Sequence, residues 1–404
     1  MKILLVNKYF FIKGGAENSF FVKAELLKKY GHEVVFFSMK DPRNFPSNYA
    51  NYFVSNVNYD KGGLGYNLNI ALKLLYSFEA KGNINHLINN TRPDLIHLNN
   101  IYHQLSPSIL HTIKKHGLPM VMSLRDYKMV CASYSMSIGG KICEACKEGK
   151  YFHCFFKSCV KRSHSKSLLS TIEMYLHHRI LNIYRLVDVF ISPSRFLKDK
   201  VAEMGFKGRV VHIPNFVFME DFIPSYTSED RVICYFGRLA ETKGIEALIS
   251  AVKELDVELR IIGEGPYRPT LEAYVQRNKI RNVVFTGYMP GTLLQEEIRR
   301  SLFTVIPSEW YENNPRSVIE SFALGKPVVG AHIGGIPELV RDGETGFTFN
   351  AFSTSDLRTK IVRLLKDPAL VEQMGRNARR FVEIELNANL HYKRLMEVYR
   401  SIMK

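Results

Sequence analysis

Twice along the chain a short, nearly unbroken apolar run passes through a glycine-bearing loop into a helical period and then into a second apolar run. Lys2-Ile-Leu-Leu-Val leads through a loop ending in Gly14-Gly15-Ala16-Glu17 to a helix expected to reach Tyr30, and then to Glu33-Val-Val-Phe-Phe. Val232-Ile-Cys-Tyr-Phe leads through Gly237-Arg238-Leu-Ala-Glu-Thr-Lys243-Gly244 to a helix through about Glu254, and then to Leu259-Arg-Ile-Ile. Strands that are apolar on both faces must be covered on both faces, and strands alternating with helices pair in parallel through crossovers. Leu95-Ile-His-Leu, Met120-Val-Met-Ser-Leu, Val189-Phe-Ile-Ser and Val210-Val-His-Ile extend the first series; Val283-Val-Phe, Phe303-Thr-Val-Ile, Pro327-Val-Val-Gly and Gly346-Phe-Thr-Phe extend the second. The chain therefore reads as α/β, with two doubly wound parallel sheets in tandem. At 404 residues and 46% apolar content it is long enough to bury two cores. The expected division is an N-terminal domain over 1–215, a linker over 216–230 marked by Pro224 and Ser225, a second domain over 231–386, and a terminal helix over 387–404.

The segment from Pro307 to Phe347 carries the most chemistry. Glu312 and Glu320 stand eight positions apart around an expected helix start, with Asn314 as N-cap and Pro315 as first helical residue. Val318, Ile319 and Phe322 form the apolar stripe, and Gly325 ends the helix. One carboxylate in the loop and one inside the helix can bond two hydroxyl-bearing parts of a single ligand, such as a sugar and a ribose. Two solvated glutamates on a capped amphipathic helix would read the same way.

This arrangement resembles the Glu-x7-Glu signature of the retaining GT-B glycosyltransferases of family 4, and the resemblance runs through most of the chain. It implies the GT-B fold: two Rossmann-like domains facing a central cleft, with the last helix returning to the first domain. It also implies that Glu312 contacts a donor sugar and Glu320 the ribose of its nucleotide, with Asn313 and Asn314 beside them. Arg238 and Lys243 would then stabilise the charge growing on a departing diphosphate, although surface cations around a helix start would look alike. Gly237, Gly263 and Gly265 belong to turns near the nucleotide. Gly334-Gly335-Ile336-Pro337-Glu338 resembles the family's loop beside the donor. Gly14 and Gly15 match the Gly-Gly-Ala-Glu of relatives, where backbone N–H groups approach a phosphate; a flexible turn is the alternative. On the acceptor side stand His97, Asn99, Arg125 and Asp126, with Arg125 where relatives carry histidine. Asp126 serves either a ligand or Arg125.

The charge is lopsided: residues 1–215 hold 30 Lys/Arg against 14 Asp/Glu, a net of +16, while residues 216–404 hold 25 against 25. Such asymmetry points to an anionic partner or to a solvated basic face. No helix-turn-helix, RNP or finger pattern appears, so an anionic membrane surface is the expected partner and nucleic acid is not. The interval 141–185 has nine Lys/Arg against three Asp/Glu, interleaved with Tyr151, Phe152, Phe155 and Phe156, a mixture suited to a lipid interface. It overlaps a Cys-rich insertion over about 131–166. Cys143, Cys146, Cys154 and Cys159 there suggest structural zinc, with free thiols, an iron–sulfur cluster or disulfides as alternatives. No Asp-x-Asp pair occurs, in keeping with cationic side chains rather than a catalytic metal on the diphosphate.

The expectation is a cytoplasmic glycosyltransferase, peripheral at the inner face of a membrane. It would move a sugar from a UDP- or GDP-type donor to a hydroxyl of a lipid-linked surface glycan. A nucleotide-sugar epimerase of the same fold and a non-enzymatic basic lipid or nucleic-acid binder are the rivals.

Overall fold

The computed structural model describes residues 1–56 and 71–403. They divide into two compact units: Met1–Met136, Glu144–Ile213 and Tyr392–Lys404 form the first, Ser137–Cys143 and Pro214–His391 the second.

The first eight strands are β1 Lys2–Val6, β2 Glu33–Phe37, β3 Leu95–Leu98, β4 Met120–Ser123, β5 Ser137–Ile138, β6 Lys141–Ile142, β7 Val189–Ser192 and β8 Val210–His212. Six of them make the sheet of the first unit in the order β2-β1-β3-β4-β7-β8, every neighbouring pair parallel. The central strands are buried along their length, as a sheet covered on both faces requires. The small antiparallel hairpin β5–β6 groups with the second unit instead.

On one face of the first sheet, Ile3, Leu5 and Val121 form one core cluster with Phe20 and Leu27 of the helix Gly15–Lys29 and with Leu395, Met396 and Tyr399 of the final helix, Ala388–Ile402. A polar thread runs through this apolar core. Lys23 Nζ lies 3.0 Å from His97 Nε2 and donates to Ser123 Oγ at 2.9 Å, while His97 Nδ1 lies 2.6 Å from the Tyr399 hydroxyl. Burial, aided by the Arg125 charge, pushes the Lys23 amine well below its ordinary range. The thread satisfies groups that would otherwise be costly to bury, and it ties the end of the chain to the first sheet.

The second sheet comprises β9 Val232–Phe236, β10 Glu258–Ile262, β11 Val283–Gly287, β12 Thr304–Ile306, β13 Val328–Ala331 and β14 Gly346–Phe349. Its order is β11-β10-β9-β12-β13-β14, again wholly parallel. Renumbered from its own first strand, this is the 3-2-1-4-5-6 order of doubly wound nucleotide-binding sheets. The stretch expected as a linker is packed at its start. Phe216, Val217 and Phe218 are buried, and Val217 N donates to Leu386 O at 3.2 Å. Three consecutive large apolar residues are better covered than left in water. Among the described residues no helix is long and apolar enough to cross a membrane.

Candidate active site

The strand order of the second sheet reverses between β9 and β12, and a ligand crevice lies beyond the carboxyl ends of strands at such a point. The loops leaving these two strands carry Gly237–Gly244 and Pro307–Pro315. They touch at Gly244, whose φ is 65° and whose ψ is 21°. A Cβ there would stand 1.9 Å from the Pro307 carbonyl oxygen, so only glycine allows this approach. Glu309 N donates to Thr242 O at 2.9 Å beside it.

The loop contact sets Lys243 against Glu312, with Nζ 2.5 Å from Oε1. Trp310 Nε1 and Ser308 Oγ donate to the same oxygen at 2.9 Å and 2.8 Å. The ammonium also lies 5.1 Å from the centroid of the Trp310 ring, a cation–π distance. From the far side, Gly335 N donates to the Glu312 carbonyl at 2.7 Å. Gly334, at φ 61°, comes so near that a Cβ would lie 2.3 Å from that carbonyl oxygen. Glu312 is thus held through both backbone and side chain. Burial by itself raises its pKa, but the Lys243 charge and the hydrogen bonds from Lys243, Trp310 and Ser308 outweigh it and keep the carboxyl below the usual carboxylate range. The result is a preorganised cation and anion at the mouth of the sheet.

Arg238 stands exposed on the same post-β9 loop, its carbonyl accepting from the Tyr235 hydroxyl at 3.0 Å. Gly237 N donates to Ile262 O and Leu239 N to Glu264 O, each at 3.0 Å. The turn containing Gly263 and Gly265 therefore lies directly on the turn containing Gly237 and Arg238. Glu320 sits in the helix Arg316–Ala323, where Arg316 Nε donates to its Oε1 at 3.1 Å.

The start of that helix corrects the expected cap. Pro315 is the N-cap, with extended backbone, and the helix begins at Arg316. Asn314 is turned away to Asn215: its Oδ1 accepts from Asn215 N and its carbonyl from Asn215 Nδ2, both at 3.0 Å. A tertiary partner that satisfies both oxygens outcompetes the local cap.

In the first unit, the helix Gly15–Lys29 opens at Gly14, and Glu17 lies in its first turn. Burial raises the Glu17 carboxyl; its own backbone N–H and the charges of Lys8, Lys13 and Arg125 partly offset this. That helix start already has an anion of its own. His97 is inside the core, as described above, with both ring nitrogens engaged. Asn99 is buried, its Nδ2 donating to Val6 O at 3.4 Å. Asp126 accepts from Lys128 N at 2.9 Å, and burial raises its carboxyl.

Next to Asp126 lies a cluster with no counterpart in the sequence reading. Lys128 and Glu173, both buried, pair at 2.7 Å. His103 and His177 place their Nδ1 atoms 3.7 Å and 3.8 Å from the Glu173 carboxylate. Burial alone would raise Glu173, but the charges of Lys128 and the histidines bring it down to about 2. The Glu173 charge acts on the buried Tyr102 and Tyr184, whose hydroxyls, like the Asn99 and Gln104 carbonyl oxygens, are buried without a hydrogen-bond partner among the described residues. Leaving such groups unpaired is costly. His103 also holds a left-handed φ of 69°, the kind of strain concentrated at functional loops.

Burial lowers the pKa of His103 to about 4 and that of His178 to about 3. The unfolded chain takes up these protons near the ordinary histidine value of 6.5, so below that pH it binds more protons than the native state. Stability should therefore fall as pH drops from 6.5 toward 4, by up to about 3 kcal/mol per histidine. Glu173 adds a further loss from 4.5 down to about 2. Denaturant midpoints compared at neutral and mildly acid pH check this; a flat profile contradicts it.

The expected zinc site is not supported. Among the described residues no group of three or more His, Cys, Asp or Glu is placed to hold a metal ion. Cys146 and Cys154 are instead buried with Ala132, Tyr151 and Met174, and Cys159 packs on that cluster. Cys143 groups with the second unit. Thiols of this kind serve as small apolar residues. A hydrogen bond from Cys159 lowers the Cys154 thiol to about 7.

Sequence reasoning missed Trp310, Ser308, Arg316 and Asn215. Trp310 is the only tryptophan of the chain and precedes Glu312 by two residues; Arg316 lies four residues before Glu320, within reach on one helix face.

Comparison with known proteins identifies the family and the fold. The family model described as Glycosyltransferase Family 4 matches residues 13–220, and that of Glycosyl transferases group 1 matches residues 220–381. The α-D-kanosaminyltransferase of Streptomyces kanamyceticus is 32% identical over 184 residues, 44% of this chain and 47% of that protein. The chain thus spans about half the length of that curated relative. The sucrose-phosphate synthase structure from Thermosynechococcus elongatus superposes with a TM-score of 0.76 at 19% identity, covering 99% of this chain and 98% of that one. Anabaena HepE, solved with UDP and glucose, gives 0.68 at 18% identity, covering 99% of this chain and 100% of that one. The chain belongs to the group 1, family 4 glycosyltransferases, with the two parallel-sheet domains of the GT-B fold.

Proposed function

We propose that this glycosyltransferase takes a sugar from a nucleoside-diphosphate donor of UDP or GDP type and transfers it, with retention at the anomeric carbon, to a hydroxyl of a lipid-linked surface glycan. The observation that carries this reading is the Lys243–Glu312 pair, fixed by Trp310 and Ser308, beside exposed Arg238 at the strand-order reversal of the second sheet. Arg238 and Lys243 neutralise the charge that develops on the departing diphosphate. Glu312 fixes Lys243 through Oε1 and offers Oε2 to a donor-sugar hydroxyl. Glu320, steadied by Arg316, takes the ribose, and the stacked turns of Gly237, Gly263 and Gly265 let the nucleotide approach backbone, with Asn313 and Asn314 adjoining. HepE, solved with UDP and glucose, supports the donor class.

On the acceptor side we place Asn99, Arg125 and Asp126 together with Tyr102, Gln104 and Tyr184, whose buried oxygens have no partner among the described residues and can bond the hydroxyls of a sugar chain. The enzyme works as a peripheral protein at the inner face of a membrane. Thermal-shift screening against UDP, GDP, ADP and their sugars tests the reading. One nucleoside diphosphate should raise the melting temperature, and the matching sugar donor should turn over only with an acceptor present. No stabilisation by any nucleotide, or product formed without an acceptor, would overturn it.

A further inference from the structure

The helix His164–Tyr175 and the wide turn Leu176–Ile180 that continues it are inside out. A surface helix ordinarily turns its apolar stripe inward and its polar residues to water. Here the buried face carries Ser167, Ser170, Thr171, Glu173 and His177 with a single fully buried apolar residue, Met174, while Leu168, Ile172 and Ile180 are exposed. These three fall at multiples of four positions, one stripe on a helical surface. The short helix Phe152–Phe156 repeats the pattern, with Phe152 and Phe156 exposed four residues apart. The two helices are joined through the Phe155 ring, whose centroid is 6.0 Å from that of His164. The five outward side chains are between 41% and 73% exposed.

The inversion follows from what the helix encloses. Its inner face supplies Glu173 to the buried Lys128 pair and His177 to the Leu75 carbonyl at 2.7 Å. Leu168, Ile172 and Ile180 are left outside. Charge identifies what covers them. Residues 150–185 hold seven Lys/Arg and a single acid, Glu173, which is buried. Lys157, Lys161, Arg162 and Lys166 are all exposed around the apolar stripe. A second copy of the same face would bring two like-charged rims together with no exposed carboxylate within 150–185 to offset them; Glu148, just outside that stretch, is already paired with Lys150 at 3.7 Å. An anionic bilayer instead offers hydrocarbon to the leucine, isoleucine and phenylalanine side chains and headgroup charge to the lysines.

We propose that the outward face of 152–180 is a lipid-docking surface: Phe152, Phe156, Leu168, Ile172 and Ile180 enter the headgroup–acyl boundary, and the surrounding lysines hold anionic headgroups. This rests on the reading of a lipid-linked acceptor and specifies the part of the chain that meets the membrane.

The test is co-sedimentation of the full chain with vesicles of phosphatidylcholine alone and of mixed phosphatidylcholine and phosphatidylglycerol. The native protein should sediment with the mixed vesicles and detach as salt rises. The double variant Leu168→Gln/Ile172→Gln should bind at least ~10-fold more weakly, and so should Lys161→Glu/Arg162→Glu. Both should keep the native melting temperature and the native affinity for the nucleoside diphosphate selected by thermal shift. Equal binding to both vesicle types, or undiminished binding by both variants, would overturn the proposal. So would a native dimer abolished by the Leu168/Ile172 change, or no vesicle binding together with capture by an acidic protein. Loss of nucleotide affinity in the native protein would instead count against the donor reading and leave the vesicle result standing.

Discussion

Lys243→Ala should lower kcat by about 10²–10³-fold, the range seen when one preorganised group that stabilises developing transition-state charge is removed. In the proposed mechanism the ammonium does two jobs: it meets the departing diphosphate, and it compensates the buried Glu312 carboxylate, with which it is paired. These can be separated. Lys243→Ala alone leaves a buried charge unpaired, so the variant should also melt lower, with the Glu312 carboxyl moving up in pKa. Lys243→Ala/Glu312→Gln removes that charge and should recover much of the lost stability but none of the lost turnover. If the double variant regains near-native kcat, Lys243 acts only as a structural partner of Glu312.

Lys128→Met should destabilise the first unit by about 3–5 kcal/mol, the usual cost of stranding one member of a buried ion pair. Glu173 has no exposed surface and cannot reach water to recover its hydration. The nearby His103 and His177 would have to be protonated to compensate, so the variant should be less unstable at mildly acid pH than at neutral pH. Lys128→Met/Glu173→Leu replaces the pair with apolar groups of similar reach and should restore most of the loss, because a well-packed apolar pair can match a buried salt bridge. Urea midpoints of the two variants decide the matter. A loss below about 1 kcal/mol in Lys128→Met would mean that Glu173 finds another partner.

The sheets were legible because their strands are nearly continuous apolar runs, a pattern that both-face burial imposes and that few other structures tolerate. Arg238, Lys243, Glu312 and Glu320 were legible as types at the right ends of those strands. That Lys243 and Glu312 touch was not, since the contact depends on Gly244 fitting under the Pro307 carbonyl, a tertiary fact without a local signature. The cap at Asn314 failed for a related reason: Asn215, distant in sequence, claims its side chain. The cysteine spacing suggested metal because four thiols in 17 residues look alike whether they converge or pack separately. Here the apolar neighbours of Cys146 and Cys154 won. The Lys128–Glu173 cluster was invisible because its members, from Tyr102 to Tyr184, belong to different loops and helices. Its one sequence trace was Glu173, the lone acid among seven cations.

The most direct test compares calorimetric affinities of the nucleoside diphosphate picked out by the thermal screen, and of the corresponding monophosphate, for native protein and Arg238→Ala. If cations beyond β9 grip the pyrophosphate, the substitution should weaken the diphosphate about tenfold or more and leave the monophosphate nearly unchanged. Equal losses for both ligands, or none for either, would contradict the assignment of Arg238 to the leaving group.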